Sequence, residues 1–230
     1  MARDKSHIPS VITELRRDFI EVPVVITKCS GININGRKLK SFLFTTDIAI
    51  ICNTDADAVL AVYPFTPHPG IIQAITSIAS IPVLAGVGGG MTQGPRSANI
   101  SLFAESLGSI AVVINAPTPI DTIRLIDETV DIPVVGTIVS IHQNVQERLD
   151  AGVDILNVSG GSETVTILKK IRKEYPHIPI IATGGETEET ILETIEAGAN
   201  AISYTPPTNA EIFKKKMEIY RQQSQDSKDD

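Results

Sequence analysis

An apolar segment that begins with Ile-Pro recurs along the chain, and it constrains the fold more than any other feature. The copies are "SIPVLAGVGGG" from residue 80, "VDIPVVGTIVS" from residue 130 and "HIPIIATGGET" from residue 177. Each is a short β-branched run of the kind found in strands buried on both faces, where proline is tolerated at the first position. Polar residues or glycines follow every run. We therefore predict three buried strands, each leading into a polar loop.

A second kind of apolar segment, which starts from small residues, alternates with the Ile-Pro segments. Its copies lie within residues 55–65, 107–117, 151–161 and 197–207. Helical patterns fill the gaps, and several end on a glycine suited to a helix C-terminus. The Ile-Pro segments recur at intervals of roughly 50 residues, which indicates a repeated β-α-β-α unit. Strands and helices that alternate in this way predict parallel strands joined by right-handed crossovers.

The number of strands predicts how the sheet closes. Seven strands fall after residue 56, and an eighth lies earlier, either at residues 41–46 or at residues 22–27. Eight parallel strands with alternating helices predict an α/β protein with the (β/α)8 TIM-barrel fold. An open, doubly wound sheet is the alternative, but its usual dinucleotide signature, G-x-G-x-x-G after the first strand, is absent.

The residues before the eight strands predict a hairpin. Asn35-Gly36 is a strong signal for a tight hairpin turn, and apolar and polar residues alternate around it. We expect the hairpin to span about residues 24–40 and to lie across the barrel floor. The whole of residues 1–221 is predicted to form a single barrel domain, and residues 222–230 a disordered polar tail.

Charge and composition exclude several classes of function. The net charge of -7 provides no basic surface for nucleic acid or an anionic membrane. No apolar run approaches the roughly 18 residues that span a bilayer, and the charged N-terminal stretch does not resemble a signal peptide, so we expect a cytoplasmic protein. Cys29 and Cys52 lack metal-binding spacing, and we predict no metal site. The sequence is compatible with a homo-oligomer.

Function in such a barrel lies where the C-terminal ends of the strands lead into their loops. There, glycine N–H groups and the positive end of a helix can bind a phosphate without a lysine. The predicted phosphate-binding residues follow the sixth, seventh and eighth strands: Ser159, Gly160, Gly161, Gly184, Gly185 and Thr205. Residues 208–211 resemble the helix start that would complete the site. The alternative is that the glycines only allow tight strand-to-helix turns.

Three titratable residues in the upper loops are candidate catalysts. A carboxylate from Asp47 and a neutral imidazole from His68 could act as general base and acid near neutral pH, and His142 could join them. Each has a structural alternative. Asp47 could be the N-cap of the first helix, His68 could lie in a rigid "TPHPG" turn, and His142 could lie on a surface turn.

The glycine-rich loop at residues 86–97 and the other strand ends supply candidate ligand-lining residues. Close backbone approach to a flat or charged ligand would explain the glycines, and Arg96 could pair with a phosphate or carboxylate. A mobile lid with Arg96 in a surface pair is the alternative. The predicted lining residues are Thr46, Tyr63, Gly88, Gly89, Gly90, Arg96, Asn115, Asn157 and Tyr204.

Residues 145–207 resemble the later strands of inosine-monophosphate dehydrogenase and guanosine-monophosphate reductase, and of related flavin barrels such as nitronate monooxygenase. The shared features are an "AGVD" strand entry, a Tyr-Pro before the seventh strand, a glycine pair after it and an "AGA" before the eighth. The resemblance implies a barrel with phosphate loops and makes FMN a candidate cofactor. However, the loop "SGGSETV" lacks the cysteine that attacks the purine ring in the first two families. The whole chain is most similar to compact bacterial barrels that are often labelled hydrolases.

The residues and the resemblance together predict an enzyme that binds a small phosphorylated or nucleotide-like ligand at the barrel mouth. The expected reaction is acid–base chemistry, such as that of an isomerase, a lyase or a hydrolase. Two alternatives remain, namely an FMN-dependent oxidoreductase of the nitronate monooxygenase type and a non-catalytic ligand-binding barrel.

Overall fold

The computed structural model describes residues 11–14 and 18–226, and alternating strands and helices make up most of that part of the chain. The strands are β1 (Ile32–Ile34), β2 (Arg37–Leu39), β3 (Ser41–Phe44), β4 (Ala58–Ala61), β5 (Val83–Gly88), β6 (Ala111–Ile114), β7 (Val134–Ile138), β8 (Ile155–Val158), β9 (Ile180–Thr183) and β10 (Ala201–Tyr204). The α-helices are α1 (Ile48–Ile51), α2 (Pro69–Ile78), α3 (Pro95–Ser106), α4 (Ile120–Asp127), α5 (Val145–Leu149), α6 (Thr164–Glu174), α7 (Glu188–Glu196) and α8 (Asn209–Asp226). Two 3-10 helices span Val24–Lys28 and Gly161–Glu163.

Strands β3 to β10 form a closed parallel barrel in the ring order β10-β3-β4-β5-β6-β7-β8-β9. The ring closes where β10 pairs with β3, with Ile202 opposite Ser41. The (β/α)8 TIM barrel predicted from the repeated segments is therefore confirmed. The strands that follow Ile-Pro are buried along nearly their whole length, because side chains on one face fill the barrel and those on the other contact the helices.

The first barrel strand is β3, which settles the choice between the two predicted positions. Residues 22–27 do not form a strand, because Val24–Lys28 is a 3-10 helix that packs against α7. Its Val25 and Ile26 are buried, so the apolar run fills the groove beside a helix instead of joining the sheet.

The predicted hairpin is present but is shorter than residues 24–40. Strands β1 and β2 pair antiparallel around Asn35 and Gly36, whose φ angles are 51° and 81°. Ile32, Ile34 and Leu39 pack into one buried cluster with the inward-facing side chains of the barrel strands. The hairpin therefore covers the N-terminal end of the barrel, as its predicted position on the floor required.

Two aspartates at the N-terminal end of the barrel accept hydrogen bonds from strand backbone. Asp57 Oδ2 accepts hydrogen bonds from the N–H groups of Lys40 and Ser41 at 2.7 and 3.0 Å. Asp154 Oδ2 accepts one from Val134 N–H at 2.9 Å. Asp57 and Asp154 each stand directly before a strand, so each carboxylate fixes the start of the preceding strand in the ring.

A larger network at the same end centres on Arg172 and Asn200. Arg172 donates to the carbonyls of Gly198 at 2.7 Å and Ile178 at 2.6 Å, and to Asn200 Oδ1. Asn200 Oδ1 also accepts from Ile180 N–H at 2.9 Å. Burial lowers the pKa of the Arg172 guanidinium. The network links α6 to β9 and β10 and leaves the Asn200 oxygen fully used.

The C-terminal end of the chain differs from the predicted tail. Helix α8 continues past residue 221 to Asp226, so the first residues of the expected tail are helical, and residues 227–230 lie outside the described part. Residues such as Gln222 and Gln223 are good helix formers, which explains the extension. No helix in the described part of the chain is both long enough and apolar enough to cross a membrane.

Candidate functional site

A cavity of about 650 Å³ opens at the C-terminal end of the barrel, above strands β4 to β7. Its volume lies within the range of roughly 300–1,000 Å³ that is typical of small-molecule sites. The lining residues come from the loops after these four strands: Tyr63, Pro64, Phe65, Thr66, Gly89, Gly90, Met91, Thr92, Asn115, Ala116, Pro117, Thr137 and Val139. A narrow adjoining pocket of about 20 Å³ includes Gly88. We refer to the larger space as the mouth cavity.

The floor of the mouth cavity contains uncharged polar groups. Thr137 points inward at the top of β7, and Asn157 Nδ2 on the next strand donates to Thr137 Oγ1 at 3.4 Å. Each of these two side chains is only 8% exposed. Asn157 Oδ1 is buried and has no hydrogen-bond partner among the described residues. An unpaired buried acceptor costs about 1–3 kcal/mol, and this one lies next to the cavity-lining Thr137.

Hydroxyl groups continue this polar layer around the ring. Thr183 Oγ1 donates to Ser159 Oγ at 3.2 Å, linking β9 to the end of β8. Ser203 on β10 is buried beside them in the ring order. The layer carries hydroxyls and amides but no titratable group.

The glycine-rich loop after β5 approaches the loop after β6 very closely. Gly89 has a φ of 127°, and a Cβ there would lie 2.3 Å from Asn115 Cβ. Asn115 N–H donates to Gly88 O at 3.0 Å, which holds the two loops together. The backbone of Gly89 and Gly90 therefore forms one wall of the mouth cavity.

Tyr63 connects the mouth cavity to His68. Tyr63 Oη accepts a hydrogen bond from His68 N–H at 2.7 Å, so its own proton is free to donate. His68 is the N-cap of α2, and its Nδ1 accepts from Gly70 N–H at 3.0 Å. An accepting Nδ1 places the proton of the neutral imidazole on Nε2. His68 is exposed and does not line the mouth cavity itself.

Asp47 is held as a helix cap. Its Oδ1 accepts hydrogen bonds from the N–H groups of Ala49 and Ile50 at 2.9 and 3.3 Å, which caps α1. The side chain of Asn209 also donates to this oxygen, at 3.4 Å. Thr46 lies beside it, half-exposed and outside the mouth cavity. The geometry matches the capping alternative, and a catalytic role for Asp47 stays a prediction.

His142 lies far around the ring from the other two catalytic candidates. It follows β7, whereas Asp47 follows β3, four strands away in a ring of eight. His142 is exposed and lines a separate pocket of about 240 Å³ between its loop and α6, beside Lys170 and Glu174. The structure therefore does not bring the three predicted catalytic residues together.

The predicted phosphate loop after β9 is shaped by packing. A Cβ on Gly184 would lie 2.9 Å from both Ile191 and Ile202, and Gly185 has a φ of 84° with Thr190 close by. The N–H groups of Gly184 and Gly185 make no hydrogen bond to another residue in the described part. Thr187 and Thr190 cap the start of α7 reciprocally. The two glycine N–H groups therefore have no hydrogen-bond partner in the described part, whereas the Thr187 and Thr190 side chains already cap the start of α7.

Carboxylates stand at the start of α8, which was expected to complete the phosphate site, and at the start of α7. Glu211 Oε2 accepts from Thr208 N–H and Oγ1 at 2.8 Å each, which caps α8 and lowers the pKa of Glu211. Hydrogen bonds from its own backbone and from Thr187 lower the pKa of Glu189 at α7. Thr205 is exposed beside them. These carboxylates already occupy the positive N-terminal ends of the two helices, where a ligand phosphate would also bind.

The remaining predicted residues have structural contacts outside the mouth cavity. Gly160 N–H donates to Thr164 Oγ1 at 3.0 Å, and Gly161 begins the 3-10 helix before α6 with a φ of 58°. Tyr204 packs against the core, where burial and then Asp55 raise its pKa. Arg96 is exposed on the first turn of α3.

Tyr63, Gly89, Gly90 and Asn115, which the sequence suggested as ligand-lining residues, lie in the cavity wall, and their role in ligand binding stays a prediction. Met91 and Thr137 also lie there and were not among the predicted residues. Thr137 could have been found, because it lies two residues after the inward-facing Val135 and so shares its face of β7. The loop residues carry no comparable periodic signal.

Arg148 supports the cavity wall from behind. This arginine on α5 is 8% exposed, and its guanidinium donates to the carbonyl of Ala116, which lines the cavity. Its second terminal nitrogen is buried without a partner among the described residues. Burial lowers the pKa of Arg148. Sequence reasoning missed this residue, because an arginine in an amphipathic helix is normally exposed.

Neither cysteine is placed as a nucleophile in the mouth cavity. Burial raises the pKa of the Cys29 thiol to about 11, so it is protonated at neutral pH. Cys52 is exposed at the end of α1. Within residues 11–14 and 18–226, no cluster of three or more histidine, cysteine or acidic side chains could hold a metal ion.

The fold and the site define a (β/α)8 barrel with a ligand-sized cavity at its mouth, and solved structures share that fold. A phosphonopyruvate hydrolase in complex with oxalate and Mg²⁺ superposes with a TM-score of 0.62 at 13% identity, covering 83% of each chain. A 4-hydroxy-tetrahydrodipicolinate synthase from Methylacidiphilum fumariolicum SolV gives 0.59 at 12% identity, covering 74% of this chain and 68% of that one. A dihydrodipicolinate synthase from Bacillus anthracis gives 0.57 at 16% identity, covering 72% and 69%. At these identities the likeness shows the fold alone.

Sequence comparisons do not refine this result. No protein-family model matches the chain, and no curated protein matches it. The barrel implied by the resemblance to the nucleotide dehydrogenases, reductases and flavin barrels is confirmed, whereas membership of those families has no support from the family models.

Proposed function

We propose that this chain is a barrel enzyme that binds a small molecule in the mouth cavity and carries out acid–base chemistry of the isomerase, lyase or hydrolase kind. The observation that carries the proposal is the unpaired Asn157 Oδ1 below the cavity floor. A ligand hydroxyl, amide or ammonium group that donates to this atom would remove the cost of leaving it unpaired.

The cavity lining supports a ligand with an uncharged polar part and an apolar part. Thr137 and Asn115 offer hydrogen bonds, whereas Phe65, Met91 and Val139 offer apolar contact. A small number of polar groups in a mostly apolar cavity is the usual arrangement of small-molecule sites, because the polar groups orient the ligand and the apolar ones supply affinity.

Tyr63 and His68 are the acid–base pair that the geometry favours. Tyr63 lines the cavity and its hydroxyl retains a proton to donate, and the backbone N–H of His68 donates to Tyr63 Oη, which holds the two residues next to each other. Tyrosine and histidine both serve as general acids and bases in enzymes. In this proposal Tyr63 contacts the ligand, and His68 acts from the edge of the cavity.

An anionic end of the ligand would bind at the free N–H groups of Gly184 and Gly185. Two adjacent glycine amides can bind a phosphate without a basic side chain. The proposed ligand therefore reaches across the mouth from the side of β4 to the side of β9, and it includes the small phosphorylated or nucleotide-like molecules predicted from the sequence.

A thermal-shift screen against sugar phosphates, nucleotides and uncharged polyols tests this proposal. A ligand at 100 times its Kd stabilises the folded state by about 2.7 kcal/mol. For a chain of this length that corresponds to a rise in Tm of about 5–10 °C. The shift should disappear in Asn157→Leu, and Tyr63→Phe should keep binding while lowering turnover about 100-fold or more. A ligand whose shift is unchanged in Asn157→Leu would contradict the proposed site.

An FMN-dependent oxidoreductase is the second candidate, and the aromatic lining favours it. Tyr63 and Phe65 face a wall made by the backbone of Gly89 and Gly90, which suits a flat ring system. Tyr204 does not line the mouth cavity, because it packs against the core. Bound flavin supplies electron-transfer chemistry. Absorbance near ~450 nm after incubation with FMN and gel filtration would support this candidate, and a colourless protein would favour the acid–base enzyme.

A further inference from the structure

A long stretch of the chain is almost free of charge. Between residues 58 and 120 the charged side chains are Arg96 and Glu105, although 20% of the whole chain is charged. A stretch of this length in an average protein would carry more than about a dozen charged residues. The two charges have opposite signs, so this stretch contributes nothing to the net charge of -7.

The uncharged stretch forms one continuous sector of the barrel. It contains β4, α2, β5, α3 and β6, which are consecutive in the ring, and α2 contacts α3. We call residues 58–120 the neutral sector. Six large apolar side chains in it are between 39% and 95% exposed: Phe65, Ile71, Ile78, Met91, Leu102 and Phe103. A sector that combines exposed apolar side chains with a near absence of charge is the kind of surface on which proteins associate.

The outer helices elsewhere in the ring are charged. Helix α6 carries Lys169, Lys170 and Lys173, and α7 carries several glutamates on its exposed side. Charged outer faces keep a barrel soluble and separate, whereas the neutral sector lacks that protection.

We propose that the neutral sector is the surface through which two copies of this chain associate. Two molecules with a net charge of -7 repel each other, and the repulsion is weakest where the contacting surfaces carry no excess charge. A two-fold symmetric contact brings the same patch of both copies together, so a neutral and apolar patch is complementary to itself.

The loops above the two helices extend this surface to the mouth of the barrel. Phe65 and Met91 belong both to the neutral sector and to the rim of the mouth cavity, and they are 77% and 95% exposed. Association through the sector would therefore bury part of the cavity rim. The proposal does not depend on what the cavity binds.

Sedimentation velocity of the full chain tests the proposal, and the unmodified protein should be a dimer. Ile78→Glu and Leu102→Glu place a charge on half-exposed positions of α2 and α3. Each should raise the dissociation constant about 100-fold, as expected when a charge enters an apolar contact. Ile219→Glu on α8 is the matched control, because Ile219 is 51% exposed and lies outside the neutral sector. It should leave the dimer intact.

A third variant in the neutral sector controls for the possibility that a new charge disrupts folding. Ser106→Glu changes an exposed residue whose hydroxyl bonds only to Leu102 O of the same helix, so the fold should tolerate it. A monomeric unmodified protein would overturn the proposal. A dimer that survives all three sector variants, or that dissociates equally in Ile219→Glu, would overturn it as well. A monomer that binds vesicles of neutral lipid would identify the sector as a membrane contact instead.

Discussion

The two ends of the barrel differ in how the aspartate and asparagine side chains described above are hydrogen-bonded. At the N-terminal end, the hairpin fills the opening, and Asp57, Asp154 and Asn200 all bond to strand backbone. At the C-terminal end, a cavity is left open, and Asn157 Oδ1 has no partner among the described residues. The Ser109 hydroxyl before β6 is also buried without a partner in the described part, so the contrast lies in these aspartates and asparagines.

Two asparagines show the difference directly. Asn200 accepts from Ile180 N–H and from Arg172, and its Nδ2 donates to Ser30 Oγ at 2.9 Å. Asn157 makes a single long bond of 3.4 Å to Thr137. The same side chain type is therefore fully hydrogen-bonded at one end, whereas at the other its oxygen has no partner in the described part.

The largest effect is expected from removing the arginine that organises the N-terminal end. Arg172→Leu should lower the free energy of unfolding by about 3 kcal/mol, because the carbonyls of Gly198 and Ile178 and the Asn200 amide lose their charged donor. Chemical denaturation measures this change. Arg172→Lys should recover part of the loss. A variant as stable as the unmodified protein would show that the network does not stabilise this end.

The asparagine pair should give the next largest effect. Asn200→Leu should cost about 2 kcal/mol, because it leaves Ile180 N–H and an Arg172 donor unpaired. Asn157→Leu should leave the unliganded protein as stable as before, or slightly more stable, because an unpaired buried acceptor is removed. Thermal melts of both variants give the comparison. Equal losses would break the contrast between the two ends.

Two glycines with open surroundings sharpen the comparison. Gly36 in the hairpin turn and Gly90 at the cavity wall have φ angles of 81° and 60°, and a Cβ added at either position would have no other atom within 4 Å. Replacing either by alanine should cost about 1 kcal/mol from the left-handed backbone alone. Only Gly90→Ala should also weaken ligand-induced stabilisation in the thermal-shift screen. An equal effect of Gly36→Ala on ligand binding would contradict the assignment.

The smallest effect concerns the cap of α8. Hydrogen bonds from Thr208 lower the pKa of Glu211 below its ordinary value of 4.5. A lowered pKa means that the cap is fully formed above pH 4.5 and is lost as the pH falls through the lowered value. The protection of the amides at residues 208–212, measured against the intrinsic exchange rate at each pH, should therefore fall below the lowered pKa. Glu211→Gln should exchange at a rate that no longer depends on pH in this way.

The barrel could be predicted from the sequence because its signal is repeated. The Ile-Pro segments and the small-residue segments each predict a strand at several places along the chain. A wrong assignment of one copy therefore does not change the predicted topology. The hairpin was also predictable, because Asn35-Gly36 encodes its turn locally. Residues 22–27 were ambiguous, because a short apolar run fits a strand or a buried helical turn equally well.

The site was harder to predict because it depends on how loops meet. The capping alternative for Asp47 was visible in the sequence, and Asp47 does cap α1. The alternative for His68 was a rigid turn, and its role as the N-cap of α2 was not predicted. The position of the mouth cavity was not visible, because it depends on the contact between Gly89 and Asn115 and on the loops of Phe65 and Met91. Side chains from loops distant in the chain carry no shared periodicity.

The pairing of β10 with β3 has a consequence for how the molecule is made. The ring joins residues near position 41 to residues near position 202, so it cannot close until residue 204 has left the ribosome. Until then the barrel strands cover the apolar face of the hairpin only in part, so this face is prone to aggregation. A shortened chain that ends before residue 201 should therefore be captured by chaperones during synthesis, whereas the full-length product escapes them.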